Sequence, residues 1–346
     1  MKRVSLADLS SELHVSKTLI SLVLNNKGDQ HGISKATQAK VIAKAAEMNY
    51  FPNQMARGLR IGKSGTIGLI VADIANPFYA VIARYIEDEV NKLGYNLIIC
   101  SSDEKDEKEY RLLRMLRDRQ VDGLIVSSTL RKPNALMELK RLGYPIVLID
   151  RDMPKLGVPT VLVNNHKGAY ELTRHLISQG HKRIAHVSLS PNYLSTIRDR
   201  VKGYRDAMKD SGIRISSRWV INVPFDDVPE AIERVLPEVI KQPGGATAIF
   251  TANNNLAVAV LGTLRNHGFR IPEDIALCSF DDVDLFRFSH PPITACEQPS
   301  REIAAESVRL LSKLIEQKAS SEGIESVLLN TTLNLRSSTT NGSPKI

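Results

Sequence analysis

The chain has 346 residues, 42% of them apolar, which suits two or three globular domains at roughly 150 residues each. No apolar run approaches the roughly 18 residues of a membrane-spanning helix. The N-terminus lacks the apolar stretch and small-residue cleavage site of a secretion signal, so a cytoplasmic protein without membrane attachment is expected. The net charge of +8 is uneven: residues 1–63 hold ten Lys/Arg against four Asp/Glu, and the rest of the chain holds 36 against 34.

A small basic head on a near-neutral body is an electrostatic footprint for a polyanion, although charge alone fits a solvated basic terminus equally well. Cys100, Cys278 and Cys296 are odd in number, far apart and in apolar surroundings. They read as buried thiols and not as a disulfide or zinc framework, and no metal or cofactor is expected.

Ser5 and Asp8 have the spacing of a helix cap with an acidic residue three positions on, and Leu6, Leu9 and Leu13 then share a helical face. A second helix starts at Ser16, with Leu19, Ile20, Val23 and Leu24 on its apolar side. Only His14 and Val15 separate the two, a tight helix–turn–helix connection. Histidine tolerates the positive φ such a turn needs better than most residues. A third helix follows Ser34, with Val41, Ile42, Ala45 and Met48 as its apolar stripe.

The second helix presents Lys17, Thr18, Ser21, Leu22 and Asn25, side chains that suit phosphate oxygens and base edges. A small protein-binding helical bundle is the alternative at this point. The segment Asn49–Arg60 contains Gly58 and is followed by Gly62, so it is a weak helix on propensity alone.

The run Val4–Leu9, the Val15–Asn25 helix, Asn49-Tyr50-Phe51-Pro52-Asn53 and the spacing Ala56…Leu59 together resemble the LacI/GalR family of bacterial repressors. The resemblance extends to about residue 339. It implies phosphate contacts from Ser16, Ser21, Asn25 and Asn53 and base reading by Lys17 and Thr18, on double-stranded operator DNA. Leu6, Leu22, Ser34, Ala56 and Arg57 complete the expected DNA-contacting set. It also implies that the linker folds into a hinge helix in the minor groove, where Leu59 from each subunit of a homodimer wedges a base step. Leu22 departs from the polar residue the family often uses there and suits a thymine methyl. The long loop Asn26–Ile33 is a second departure.

From Thr66 onward the pattern changes to short apolar runs alternating with helical stretches. The runs are Thr66–Val71, Asn96–Ser101, Gly123–Ser127, Ile146–Asp150, Arg183–Ser188, Thr247–Thr251 and Ile275–Phe280. This predicts parallel, doubly wound sheets, and a body this long predicts two lobes. The expected fold is thus an N-terminal all-α helix-turn-helix DNA-binding domain (1–52), a hinge and linker (53–64) and a two-lobed α/β effector-binding domain of periplasmic-binding-protein-like architecture (65–346). Lobe one is expected over about 65–164 and 294–324, lobe two over 165–293 and 325–340.

Open α/β sheets bind ligands beyond the carboxyl ends of their strands. Asp73, Asn76, Phe78 and Tyr79 follow the first strand, Asp150 ends another, Asn253 follows a third, and Asp281 and Asp282 a fourth. The resemblance implies effector contacts from Phe78, Tyr79, Thr196, Arg200, Asn253 and Asp281; Phe225 is a further stacking candidate. Each has a plainer reading: Asp281 as a cap, Phe78 and Tyr79 as core, Arg200 as a solvated helix residue. Asn254 stands where the family commonly has aspartate. A sugar or sugar phosphate is the first expected effector class, a nucleobase or nucleoside the second.

Phosphate-binding loop, dinucleotide, zinc-protease and nucleophile-elbow motifs are all missing, so an enzyme is not expected. A secreted sugar-binding protein would predict a signal peptide and no basic head. A purely architectural DNA-binding protein would have no use for the large body.

Overall fold

The computed structural model describes residues 4–50, 63–190, 193–317 and 326–340. The chain divides into two compact units, Met1–Ser64 and Gly65–Ile346. In the first, α1 (Leu6–Leu13) starts with a reciprocal cap. Ser5 Oγ accepts from Asp8 N at 3.3 Å, and the Asp8 carboxylate accepts from Ser5 N at 2.7 Å. His14 ends it in the left-handed region at φ 52°, as the short turn requires.

Ser16 caps α2 (Lys17–Leu24) by accepting from Leu19 N at 3.1 Å, and Ser34 caps α3 (Lys35–Glu47) by accepting from Thr37 N at 3.2 Å. Leu9, Leu13, Ile20, Val23, Val41 and Ala45 form the core. Ile42, read as part of the α3 stripe, is 53% exposed. Val41 and Ala45, one turn apart, already fill the inner face, and the next residue along points a quarter-turn outward. The long loop is tied to α3 because the Asp29 carboxylate accepts from Lys35 Nζ at 2.7 Å and Gln38 Nε2 at 2.8 Å.

The second unit contains two six-stranded sheets. The chain runs through β1 (Thr66–Val71), α4 (Pro77–Lys92), β2 (Asn96–Ser101), α5 (Asp106–Asp118), β3 (Gly123–Val126), α6 (Asn134–Arg141), β4 (Ile146–Ile149) and β5 (Thr160–Val163). It then builds α7 (Asn165–Ser178), β6 (Ile184–Ser190), α8 (Ser195–Asp210), β7 (Val220–Pro224), α9 (Val228–Lys241), β8 (Ala248–Thr251), α10 (Asn254–Asn266), β9 (Ala276–Phe280), α11 (Asp284–Phe288) and β10 (Thr294–Glu297). The long helix α12 (Ser300–Glu316) and two short strands, β11 (Val327–Leu329) and β12 (Thr332–Asn334), follow.

The sheet orders, β11-β5-β4-β3-β1-β2 and β12-β10-β9-β8-β6-β7, correspond strand for strand. All pairings are parallel except β10 with β12. Central strands such as β3, β4 and β8 are buried along their whole length, as expected for sheets covered on both faces.

The lobe boundaries differ from the sequence reading at two short segments, Thr294–Glu297 and Val327–Leu329. Thr294–Glu297 pairs with β9 and belongs to the second lobe. Val327–Leu329 pairs with β5 in the first, whereas Thr332–Asn334 lies in the second lobe, as the sequence reading has it. The helix between them joins the first lobe's core through Ile303, Leu310, Leu311 and Leu314. Strands of three or four residues carry no pattern that names their neighbour; pairing is decided by which sheet edge is open.

In the second lobe's core His186 stacks on Tyr204 (4.9 Å) and packs at a tilt against Phe250 (4.7 Å), and its Nδ1 lies 3.1 Å from the Phe250 carbonyl oxygen. Complete burial pushes its pKa down to about 3. The ring therefore stays neutral in the folded chain while the unfolded chain takes up a proton below about 6.5. Stability is intact above that value and falls as pH drops from about 6.5 toward 3. Denaturant unfolding at about pH 6.5 and 4.5 is expected to show a loss ~2–3 kcal/mol larger for the parent chain than for His186→Phe. An equal loss in both would remove this assignment.

Candidate ligand cleft and DNA-reading helix

The carboxyl ends of both sheets face one cleft. All nine residues expected at the effector site line it: Asp73, Phe78, Tyr79 and Asp150 from the first lobe, and Thr196, Arg200, Phe225, Asn253 and Asp281 from the second. Asp150 follows β4 and Asp281 follows β9, equivalent strands of the two sheets. Both adopt the left-handed backbone region, with φ of 64° and 67°. This conformation is costly for a residue with a Cβ.

Arg200 is 4% exposed, so it is no solvated helix residue. Its Nε donates to Asn165 Oδ1 at 2.7 Å and one terminal nitrogen to the Ala252 carbonyl at 2.7 Å, with Asp281 at 3.5 Å. The guanidinium lies 3.7 Å over the Phe280 ring. The residue three positions on makes this possible. A Cβ on Gly203 would sit 2.3 Å from the His166 carbonyl oxygen, so glycine lets α8 approach α7 and bring Arg200 within reach of Asn165. Burial raises the Asp281 pKa, opposed by the Arg200 charge and by Gln298, whose Nε2 donates to Asp281 Oδ1 at 2.6 Å.

In the first lobe Tyr79 OH donates to Asp150 Oδ2 at 2.8 Å, and Phe78 packs edge-on against the Tyr79 ring. Both aromatics are core residues and cleft residues at once. Asn253 Oδ1 caps α10, accepting from Leu256 N at 2.9 Å, and Asp73 Oδ1 accepts from Ala75 N at 2.9 Å.

Arg151, Glu104, Asn255 and Gln298 also line the cleft and were not anticipated. Arg151 and Glu104 form a bidentate pair with side chains only 8% and 12% exposed. Adjacency to Asp150 was the available signal for Arg151; Glu104 lies 47 residues away and had none.

The space left among these side chains is about 40 Å³. Pockets for small molecules are typically about 300–1,000 Å³, so a sugar-sized molecule enters only when the lobes part. A wider chamber of about 670 Å³ opens outward, between Asp106, Glu107 and Arg131 on one rim and Tyr193 and Asp226 on the other. Among the described residues, three hydrogen bonds bridge the lobes, Tyr193 OH to the Thr129 carbonyl (2.8 Å), Asp152 N to Ser195 Oγ (2.9 Å) and Asn254 Nδ2 to Asn76 Oδ1 (3.0 Å), and the Arg131 guanidinium lies 5.3 Å over the Tyr193 ring. The Thr129 loop is itself held by buried Glu109, which accepts from Thr129 N at 2.6 Å and from Ser128 Oγ at 2.7 Å.

In the basic head, Lys17 and Thr18 are exposed at the start of α2, and Lys17 forms no ion pair with a described residue. Ser16 is exposed and its Oγ caps the helix as an acceptor. Ser21, Leu22 and Asn25 are half-buried, and Asn25 Nδ2 donates to the Ser21 carbonyl at 2.6 Å, which fixes the end of the helix. Leu6 packs on the head's core, and Ser34 is exposed at the start of α3. Asn53, Ala56, Arg57 and Leu59 lie outside the described residues.

A helix-turn-helix head carried on a two-lobed, periplasmic-binding-protein-like body defines a DNA-binding transcriptional regulator. Residues 64–336 match the family model described as periplasmic binding proteins and the sugar binding domain of the LacI family, and the chain belongs to this family. It is 31% identical over 316 residues to the HTH-type transcriptional regulator DegA of Bacillus subtilis, covering 89% of this chain and 90% of that protein. A LacI family regulator from Enterococcus faecium, solved with bound ribose, is 28% identical with a TM-score of 0.67, over 79% of this chain and 98% of that one. The lac repressor dimer bound to operator and the anti-inducer ONPF shares the fold at 23% identity and TM-score 0.82, over 98% of this chain and 100% of that one. No helix among the described residues is long and apolar enough to cross a membrane.

The buried Arg151–Glu104 pair generates a stability prediction. Glu104→Gln removes the bidentate counter-charge of a buried guanidinium, leaving only Asp150 Oδ2 at 3.6 Å from Arg151 Nε, and is expected to cost about 3 kcal/mol in urea unfolding. The double change Glu104→Gln with Arg151→Met is expected to recover most of that loss. A double variant no more stable than the single one would show that the pair's charge is not what matters.

Proposed function

We propose that the chain is a homodimeric repressor whose affinity for a near-palindromic operator is set by an uncharged sugar bound between the lobes. The observation that carries this reading is the composition of the cleft. Four carboxylates, Asp73, Glu104, Asp150 and Asp281, line it against two guanidiniums, Arg151 and Arg200. Both guanidiniums already have carboxylates beside them. Among the described residues, a phosphate would meet a net negative inner lining whose two guanidiniums already have carboxylate partners, which disfavours the sugar phosphate alternative. Vicinal hydroxyls can donate to Asp150 and Asp281 and accept from Arg151 and Arg200. Phe78 and Phe225 supply apolar faces for the ring.

Asp281 anchors the ligand from the second lobe and Tyr79 with Asp150 from the first. The sugar therefore binds the closed arrangement more tightly than the open one and shifts the balance between them. In the head, Lys17 and Thr18 read bases, Ser16, Ser21 and Asn25 contact phosphates, and Leu59 acts as the minor-groove wedge. One head reads only a half-site, which favours a dimer. The helix Pro77–Lys92 exposes the apolar Val81, which suits contact with a second copy along that helix.

The ligand test is a thermal-shift panel of unmodified pentoses and hexoses, their phosphates, and adenosine. At least one neutral sugar is expected to raise Tm, with its phosphate inert. Asp281→Ala is expected to abolish the shift at about 1–3 kcal/mol of ligand affinity while operator binding persists. Stabilisation by adenosine or by phosphates alone would overturn the sugar reading. The DNA test is titration of labelled duplex. Saturation at two chains per operator is expected, with affinity falling steeply as salt rises. One chain per duplex, or an affinity indifferent to salt, would count against the assignment.

A further inference from the structure

Asn76 caps α4 in the first lobe and Asn254 opens α10 in the second; they are 8% and 1% exposed. Of the three hydrogen bonds across the cleft described above, theirs alone joins two side chains, Nδ2 of Asn254 to Oδ1 of Asn76 at 3.0 Å. The amide orientations are not interchangeable. Asn76 Oδ1 also accepts from Phe78 N at 3.0 Å, so the atom facing Asn254 must be an acceptor. Asn254 Nδ2 donates as well to Asn255 Oδ1 at 3.3 Å. Two acceptors converge on position 254, and a donor there satisfies both. Asn254 Oδ1 is buried and has no hydrogen-bond partner among the described residues, so the side chain acts through its amide nitrogen.

We propose that the Asn76–Asn254 amide pair is a latch that sets the balance between parted and closed lobes. It thereby sets the sugar concentration at which the cleft closes. The second half of this statement rests on the reading of the cleft as the effector site; the first half does not. The latch is selective for an amide. An aspartate at 254 would point oxygen at the Asn76 oxygen, both buried, and closing would force two acceptors together. Asn76 cannot answer by turning its amide nitrogen outward without giving up the cap on Phe78 N. A serine at 76 can do both, because its hydroxyl oxygen accepts from Phe78 N while its proton is donated across the cleft.

The test uses the full-length chain with spin labels on Glu107→Cys and Asp226→Cys, on opposite rims of the outer chamber. Cys100, Cys278 and Cys296 are buried, so labelling falls on the introduced sites. Pulsed dipolar spectroscopy without added sugar then reads the rim-to-rim distance. The parent is expected to favour the short distance. Asn254→Asp is expected to lower the ratio of short to long distances about tenfold, the effect of losing one buried hydrogen bond and opposing two acceptors. Asn254→Ala, which removes the donor without adding charge, is expected to shift the ratio in the same direction by less. Asn76→Ser combined with Asn254→Asp is expected to restore the parent distribution, which a merely structural defect at position 254 would not allow.

An unchanged distribution in Asn254→Ala or Asn254→Asp would overturn the latch. So would a folded double variant that stays open. Because these distances are read without ligand, failure of the sugar assignment would leave the result standing, and the reverse holds for the thermal-shift panel.

Discussion

A guanidinium cannot be buried unless acceptors surround it, and much of the second lobe is arranged around that requirement at Arg200. Its partners come from four places: Asn165 at the start of α7, the Ala252 carbonyl after β8, the Phe280 ring at the end of β9, and Asp281 beyond it. One side chain therefore ties together the elements that present Asn253 and Asp281 to the cleft. The close approach of α8 to α7, which glycine at 203 permits, is the steric condition for this arrangement.

The first lobe solves the equivalent problem with different residues. Asp150 and Asp281 occupy matching strand ends and share a left-handed backbone, yet their neighbours carry opposite charges. Arg151 is held by Glu104 from the turn after β2. Asp282 is held by Arg336 from the C-terminal segment, which also donates to the Ile293 carbonyl. A strained carboxylate is thus followed on each side by a buried ion pair that anchors its turn. In the second lobe that anchor lies just beyond the crossover between β11 and β12. The segment that joins the lobes and the turn that carries Asp281 are thereby mechanically linked.

Closure depends on weaker contacts. The three hydrogen bonds across the cleft are few against the two lobe cores, and two of them use a backbone group on one side. The lobes are held internally by large apolar clusters and to each other by polar contacts. That contrast is what a hinge needs, since the units stay rigid while their separation costs little.

Local chemistry was legible from the sequence alone. The Ser5/Asp8 cap, the Ser16 and Ser34 caps, the left-handed His14 and the order of the main strands and helices all rest on interactions a few residues apart. The strand-end rule brought Asp73, Asn76, Phe78, Tyr79, Asp150, Asn253 and Asp281 to the cleft, because in parallel sheets the chain direction fixes which end a residue occupies; Thr196, Arg200 and Phe225 had no such signal and were expected from the family resemblance or as a stacking candidate. Ile42 turned outward, and Thr294–Glu297, Val327–Leu329 and Thr332–Asn334 found partners their own short runs could not announce. The Arg151–Glu104 pair, 47 residues apart, and the Asn76–Asn254 contact, 178 apart, exist only once the sheets are assembled. Sequence determines what each segment can donate, accept or bury. Which groups meet across a cleft is settled by the packing of whole lobes, where desolvation makes the choice of partner decisive.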